Sequence, residues 1–157
     1  MIIFKLDPKF KKRFPDLDID ALSLVYSVLF DSICKSKKKR NYRIYIKMTA
    51  GISSYYTWQA GTNVRINLSD VLLTIDVFHQ ALLHEFRHFV QDKVFKIPLT
   101  KKNYDETTEK SYMSSPVEID AGYFEMMAYP RALRLYNRIT KLKNQFREIS
   151  GYKGNTI

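Results

Sequence analysis

The pentapeptide His84-Glu85-Phe86-Arg87-His88 sets two imidazoles four residues apart, with a carboxylate beside the first. On an α-helix, residues four apart lie roughly 40° apart around the axis, so both rings leave one face a single turn apart. Two nitrogen donors at that separation suit one zinc ion. Glu85, next to His84, can then act as general base toward a zinc-activated water on the open side. The bland alternative is a salt-bridged face of an ordinary amphipathic helix. His79 lies five residues before His84, about 140° away around the same helix, and is expected to be a structural or surface histidine.

Two histidines do not complete a catalytic zinc site, which takes three protein ligands and keeps an open position. Cys34 lies far upstream and is expected to be a buried small residue at a helix end. A carboxylate must therefore close the site, and the best segment is Pro116-Val117-Glu118-Ile119-Asp120-Ala121-Gly122. Glu118 is followed three and four residues later by Ala121 and Gly122, whose small side chains are expected to let this helix approach the HExxH helix closely. Asp120 is the alternative ligand, although it should point about 200° away from Glu118. It could instead orient an imidazole through an outer hydrogen bond, as could Gln91 or Asp92. An oxyanion donor is sought among Tyr112, Tyr104 and Tyr123, with Tyr112, just ahead of Glu118, preferred. Arg87 should face away from the metal and be a surface or ion-pair residue rather than a substrate clamp.

The elements that must hold these groups follow from periodicity. Ile2 to Leu6 reads as a strand. Leu22, Val25, Tyr26, Leu29, Phe30 and Ile33 read as a helix capped by Asp18 or Asp20 and ending in the cations Lys35 to Arg40. Three strand-like runs follow, Tyr42 to Met48, Tyr55 to Gln59 and Val64 to Leu68, broken near Gly51 and Gly61. The last of them is expected to offer an exposed edge for an extended peptide. Thr74 to Phe95 should form the HExxH helix, with Ile75, Phe78, Leu82, Leu83, Phe86, Phe89 and Val90 facing the core. Residues 97–115 read as a surface loop. Pro116 to Ala128 and Pro130 to Ile149 read as two helices, each opened by proline, with residues 151–157 as a tail. In the second of these, Leu133, Tyr136, Ile139, Leu142 and Phe146 form the apolar stripe. The expectation is one α+β domain spanning 1–157: an N-terminal helix, a small three- to four-stranded sheet, the HExxH helix, a glutamate helix and a C-terminal helix.

Twenty-six Lys and Arg against sixteen Asp and Glu give a net charge of +10, which favours acidic partners, nucleic acid foremost. Lys35 to Arg40 and the basic residues Arg131, Arg134, Arg138 and Lys141 are the candidate patches, but a solvated, lysine-rich surface is the preferred expectation for the charge, and a solvated helix face for the last helix. A single cysteine excludes an internal disulfide framework and fits a reducing compartment. The start of the chain lacks a secretory apolar region and no run approaches a membrane span, so a cytoplasmic protein with no membrane association is expected.

Leu83-His84-Glu85-Phe86-Arg87-His88-Phe89-Val90-Gln91 together with Pro116-Val117-Glu118-Ile119-Asp120-Ala121 resembles the gluzincin metallopeptidases. It is similar in particular to small phage and prophage peptidase-like proteins and to the ImmA/IrrE-type repressor-cleaving peptidases. The resemblance covers about 50 residues, His84 to Pro130. Gly122 and Glu125 depart from the asparagine and alanine of the latter pattern. The resemblance implies a minimal zincin-like fold and one Zn2+ per chain held by His84, His88 and Glu118. It further implies Glu85 as the base, a protein or peptide substrate, and residence in a host cytoplasm or a virion. The competing expectation is a catalytically inactive zincin-fold protein with a structural or nucleic-acid-associated role.

Overall fold

Along Tyr42–Thr49 burial alternates residue by residue, and the inward aliphatics Ile44 and Ile46 are wholly buried. A computed structural model describes residues 1–34, 40–51, 53–57, 61–71, 73–97 and 115–150. The chain runs β1 (Ile2–Leu6), α1 (Pro8–Arg13), α2 (Ile19–Ile33), β2 (Tyr42–Thr49), β3 (Tyr55–Thr57), β4 (Asn63–Ser69), α3 (Ile75–Lys93) and α4 (Pro116–Ser150). It is an α+β arrangement. The strand order is β1-β2-β4-β3, with β1, β2 and β4 parallel and β3 antiparallel to β4.

This order corrects one expectation. The last strand, β4, is interior, and the edge nearest α3 is the short β3. Strand order depends on which distant segments pair, and local alternation does not encode that. The opposite edge is sealed: the Ile2 and Phe4 amides donate to Ser27 Oγ (2.8 Å) and Ser23 Oγ (3.0 Å), one turn apart on α2. Those serines occupy amides that would otherwise invite another strand.

One face of the sheet carries the core. Phe4, Ile44, Ile46, Val64, Ile66 and Leu68 meet Tyr26 and Phe30 of α2 and Phe78, Leu82, Phe86 and Phe89 of α3. Edge-to-face ring pairs, such as Phe4 with Tyr26 and Tyr42 with Phe89, both at 5.0 Å, knit the sheet to the helices. Ile75, expected in the core, is 40% exposed at the first turn of α3. Thr74 caps that helix by accepting the Val77 amide, and Asp18, not Asp20, caps α2 through the Ala21 amide. Helix α2 ends at Ile33, with Cys34 half-buried as its C-cap. The last turn of α2 holds no cation. Residues 35–39 lie outside the described residues, as do the expected strand end at 58–59, most of the expected loop (98–114) and the expected tail.

The two expected C-terminal helices are one, running through Pro130. Proline inside a helix removes one backbone hydrogen bond, the one to the Met126 carbonyl, and costs about 3 kcal/mol. Met126 is exposed, so water can satisfy that carbonyl, while buried Ala128 and Ala132 anchor the helix on either side. Beyond them Leu135, Tyr136 and Ile139 pack onto the core, whereas Leu142 and Phe146, expected in the apolar stripe, are exposed. Among the described residues no helix is long and apolar enough to cross a membrane.

His79 is buried on α3 between Phe78 (5.4 Å) and Tyr136 (5.1 Å). Burial lowers its pKa from 6.5 to about 4, against the pull of Asp76. The unfolded chain therefore binds this proton more readily than the folded one. Stability from this group is full above pH 6.5 and is lost as pH falls toward 4, by up to about 3 kcal/mol. Urea midpoints at about pH 7.5 and 4.5 measure the loss, and His79→Phe is expected to remove its share of the difference.

Candidate metal centre

Helices α3 and α4 pack side by side and bring the three expected ligands together. Ligand atoms of His84, His88 and Glu118 all lie within 4.8 Å of one another. His84 Nε2 is 3.0 Å from Glu118 Oε2, and His88 Nε2 is 3.2 Å from Glu118 Oε1. His88 and Glu118 are buried, whereas the His84 side chain is 21% exposed, so the cluster opens to solvent on the His84 side. Ala121, expected to let this helix approach the HExxH helix, is fully buried. Gly122 is not a close-approach residue, because a Cβ built there would meet nothing within 4 Å.

The outer hydrogen bonds fix the ring orientations. Gln91, wholly buried, donates from Nε2 to the Val117 carbonyl (3.0 Å) and to Asp120 Oδ2 (2.7 Å). Its amide oxygen is thereby turned to His88 Nδ1 at 2.8 Å. An amide oxygen only accepts, so His88 carries its proton on Nδ1 and, in the neutral ring, a lone pair on Nε2. His84 repeats the arrangement, with Nδ1 3.3 Å from Glu125 Oε2 and Nε2 toward Glu118. Two imidazole lone pairs and a carboxylate facing one another require positive charge between them. Without a metal, a proton on His84 supplies it. Burial disfavours that charge, but hydrogen bonds to Glu118 and Glu125 and the field of Glu85 prevail and raise its pKa to about 10. A divalent cation fits the same place, and two nitrogens with one carboxylate oxygen are a zinc-type donor set.

Asp120, the alternative ligand, is not in the cluster. It takes a bidentate pair from Arg87 (2.7 and 3.0 Å) and holds Gln91, so it acts on His88 at one remove. Arg87 is clasped between the rings of Phe95 (5.0 Å) and Phe124 (5.1 Å), away from the cluster. Asp92 turns elsewhere, accepting from the Tyr56 hydroxyl at 2.7 Å. Glu125 was missed as a partner of His84. It stands seven residues, two helical turns, after Glu118, so its spacing alone places it on the same face. Tyr112 and Tyr104 lie outside the described residues, and Tyr123 is 61% exposed.

Glu85 is 5% exposed and accepts the backbone N–H of Tyr56 on edge strand β3. Burial raises its pKa to about 7, against the opposing pull of His88 and His84. A carboxyl poised there both takes up and releases a proton near neutrality. Comparison of the chain with protein-family models, with curated proteins and with solved structures returned no match.

Gln91 offers a direct check on the tautomer argument. Gln91→Leu removes the acceptor for His88 Nδ1 and is expected to weaken zinc binding by about 10- to 100-fold, read by competition with a chromogenic chelator.

Proposed function

We propose that this chain is a gluzincin-like zinc metallopeptidase with a minimal zincin-like domain. It would hold one Zn2+ through His84, His88 and Glu118 and hydrolyse peptide bonds with Glu85 as general base. The observation that carries the reading is the convergence of three donors from two helices, with ring tautomers fixed by Gln91 and Glu125, beside a buried carboxylate. When bound, the ion supplies Lewis-acid polarisation of the scissile carbonyl and brings the pKa of water down toward about 7.

The chain's own residues do the rest. His84 and His88 present Nε2 inward, and Glu118 contributes the negative charge. Glu85 takes the proton of the attacking water and hands it to the leaving amine. The Tyr56 amide, which donates to it, holds its carboxylate against edge strand β3. Ile119 and Met126, about 80–100° around α4 from Glu118, leave exposed apolar surface for a substrate side chain.

The test joins elemental analysis of the purified protein to cleavage of an unbiased peptide library. The expected result is about one zinc per chain, with cleavage abolished by 1,10-phenanthroline and restored by one equivalent of zinc. Cleavage that survives chelation, or a protein that takes up no divalent ion, defeats the reading.

A further inference from the structure

Among the described residues the helices cover one face of the sheet, and the other is open. On that open face Tyr45 of β2 is 38% exposed and sits inside a ring of cations. Lys5 of β1 and Arg65 of β4 are its direct cross-strand partners. Strand spacing puts their backbones about 4.8 Å to either side. Arg43 and Lys47 flank it along its own strand, about 7 Å away in each direction. All four cations are exposed. Lys5, Arg43, Tyr45, Asn63 and Arg65 line an open depression of about 250 Å3.

Lys5 and Arg65 are each diagonal cross-strand neighbours of both Arg43 and Lys47, about 7–8 Å away, so the face gathers like charge with no two cations directly opposite. Here the outward residues of β1, β2 and β4 include no carboxylate, and among the described residues none of the four cations forms an ion pair. No cation lies over the Tyr45 ring among the described residues, so its face is available for stacking. The last helix presents Arg131, Arg134, Arg138 and Lys141 as one row. The sheet instead spreads charge in two dimensions around an aromatic ring.

We propose that this open sheet face is a docking surface for single-stranded nucleic acid, with a base stacked on Tyr45 and the flanking phosphates held by Lys5, Arg43, Lys47 and Arg65. Charge complementarity selects a polyanion. The exposed ring at the centre selects unpaired bases over a duplex, whose bases are already stacked. The surface lies across the sheet from the His84–His88–Glu118 cluster, so binding needs no metal.

Fluorescence anisotropy with a labelled oligothymidylate of about 15 nucleotides tests this on the full chain after chelation, so the outcome does not depend on the peptidase reading. Four phosphate contacts predict a plot of log K against log salt with a slope of about −3, from about 50 to 200 mM salt. Arg43→Gln/Arg65→Gln is expected to halve that slope. Tyr45→Ala is expected to weaken binding roughly 5- to 150-fold, and Tyr45→Phe to restore it. Should the arginine pair fail to fold, judged by circular dichroism, Lys5→Gln/Lys47→Gln makes the same prediction. No binding at the lower salt, an unchanged slope in the double variant, or tighter binding of a duplex of equal length overturns the proposal. So does binding to phosphatidylserine vesicles that matches the oligonucleotide and ignores Tyr45.

Discussion

Replacing Glu85 by glutamine is expected to lower kcat for peptide hydrolysis by about 10²- to 10⁴-fold while zinc content stays near one ion per chain. The substitution keeps the shape of a buried side chain and removes only its capacity to accept a proton. The amide oxygen can still take the Tyr56 N–H. The donor cluster does not include Glu85, and the His84 and His88 rings are held by Glu125 and Gln91, so the metal should remain. The wild-type pH profile gives an independent check. A general base works ionised, so kcat/KM rises with pH through the pKa of Glu85. Burial sets that pKa at about 7, and a bound cation would lower it, so the acid limb should have its midpoint at or below pH 7. The glutamine variant should lose that limb. Undiminished turnover in the variant would remove Glu85 from the mechanism.

The local part of this site was legible in the sequence because it obeys helical periodicity. The i, i+4 histidines, the adjacent base and the burial of Phe78, Leu82, Phe86 and Phe89 all follow from one 3.6-residue repeat. Glu118 was reachable because the chemistry demanded a carboxylate and Ala121 marked a helix able to pack closely. What eluded local reasoning depended on pairing between distant segments. The interior place of β4, the sealing of β1 by Ser23 and Ser27, and the basic ring around Tyr45 all require the strand order. Asn67, outward by alternation, is nonetheless buried because it bonds Thr57 on β3 at 2.7 Å. Pro130 misled for a related reason. Its local effect is to end a helix, and the packing of Ala128, Ala132, Leu135, Tyr136 and Ile139 on the core offsets that effect.

Glu118→Ala should deplete the purified protein of zinc and weaken zinc affinity by more than the 10- to 100-fold expected for loss of an outer partner. Asp120→Asn supplies that comparison, since Asp120 reaches His88 only through Gln91. Glu118 faces both imidazoles at once, so without it the two histidines keep their places but lose the negative charge between them. The contrast is also readable as heat stability. A ligand that binds only the folded chain stabilises it by about 2.7 kcal/mol at a hundredfold excess over Kd, so zinc should raise the Tm of the wild type and of Asp120→Asn but not of Glu118→Ala. Zinc must also displace the proton that His84 holds with a pKa of about 10, so wild-type affinity should rise with pH across the neutral range, with protons released on binding. If Glu118→Ala kept its zinc while Asp120→Asn lost it, the ligand set would be wrong. The short His84–Glu118 and His88–Glu118 approaches would then be buried ion pairs that brace α3 against α4, and the peptidase reading would lose its footing.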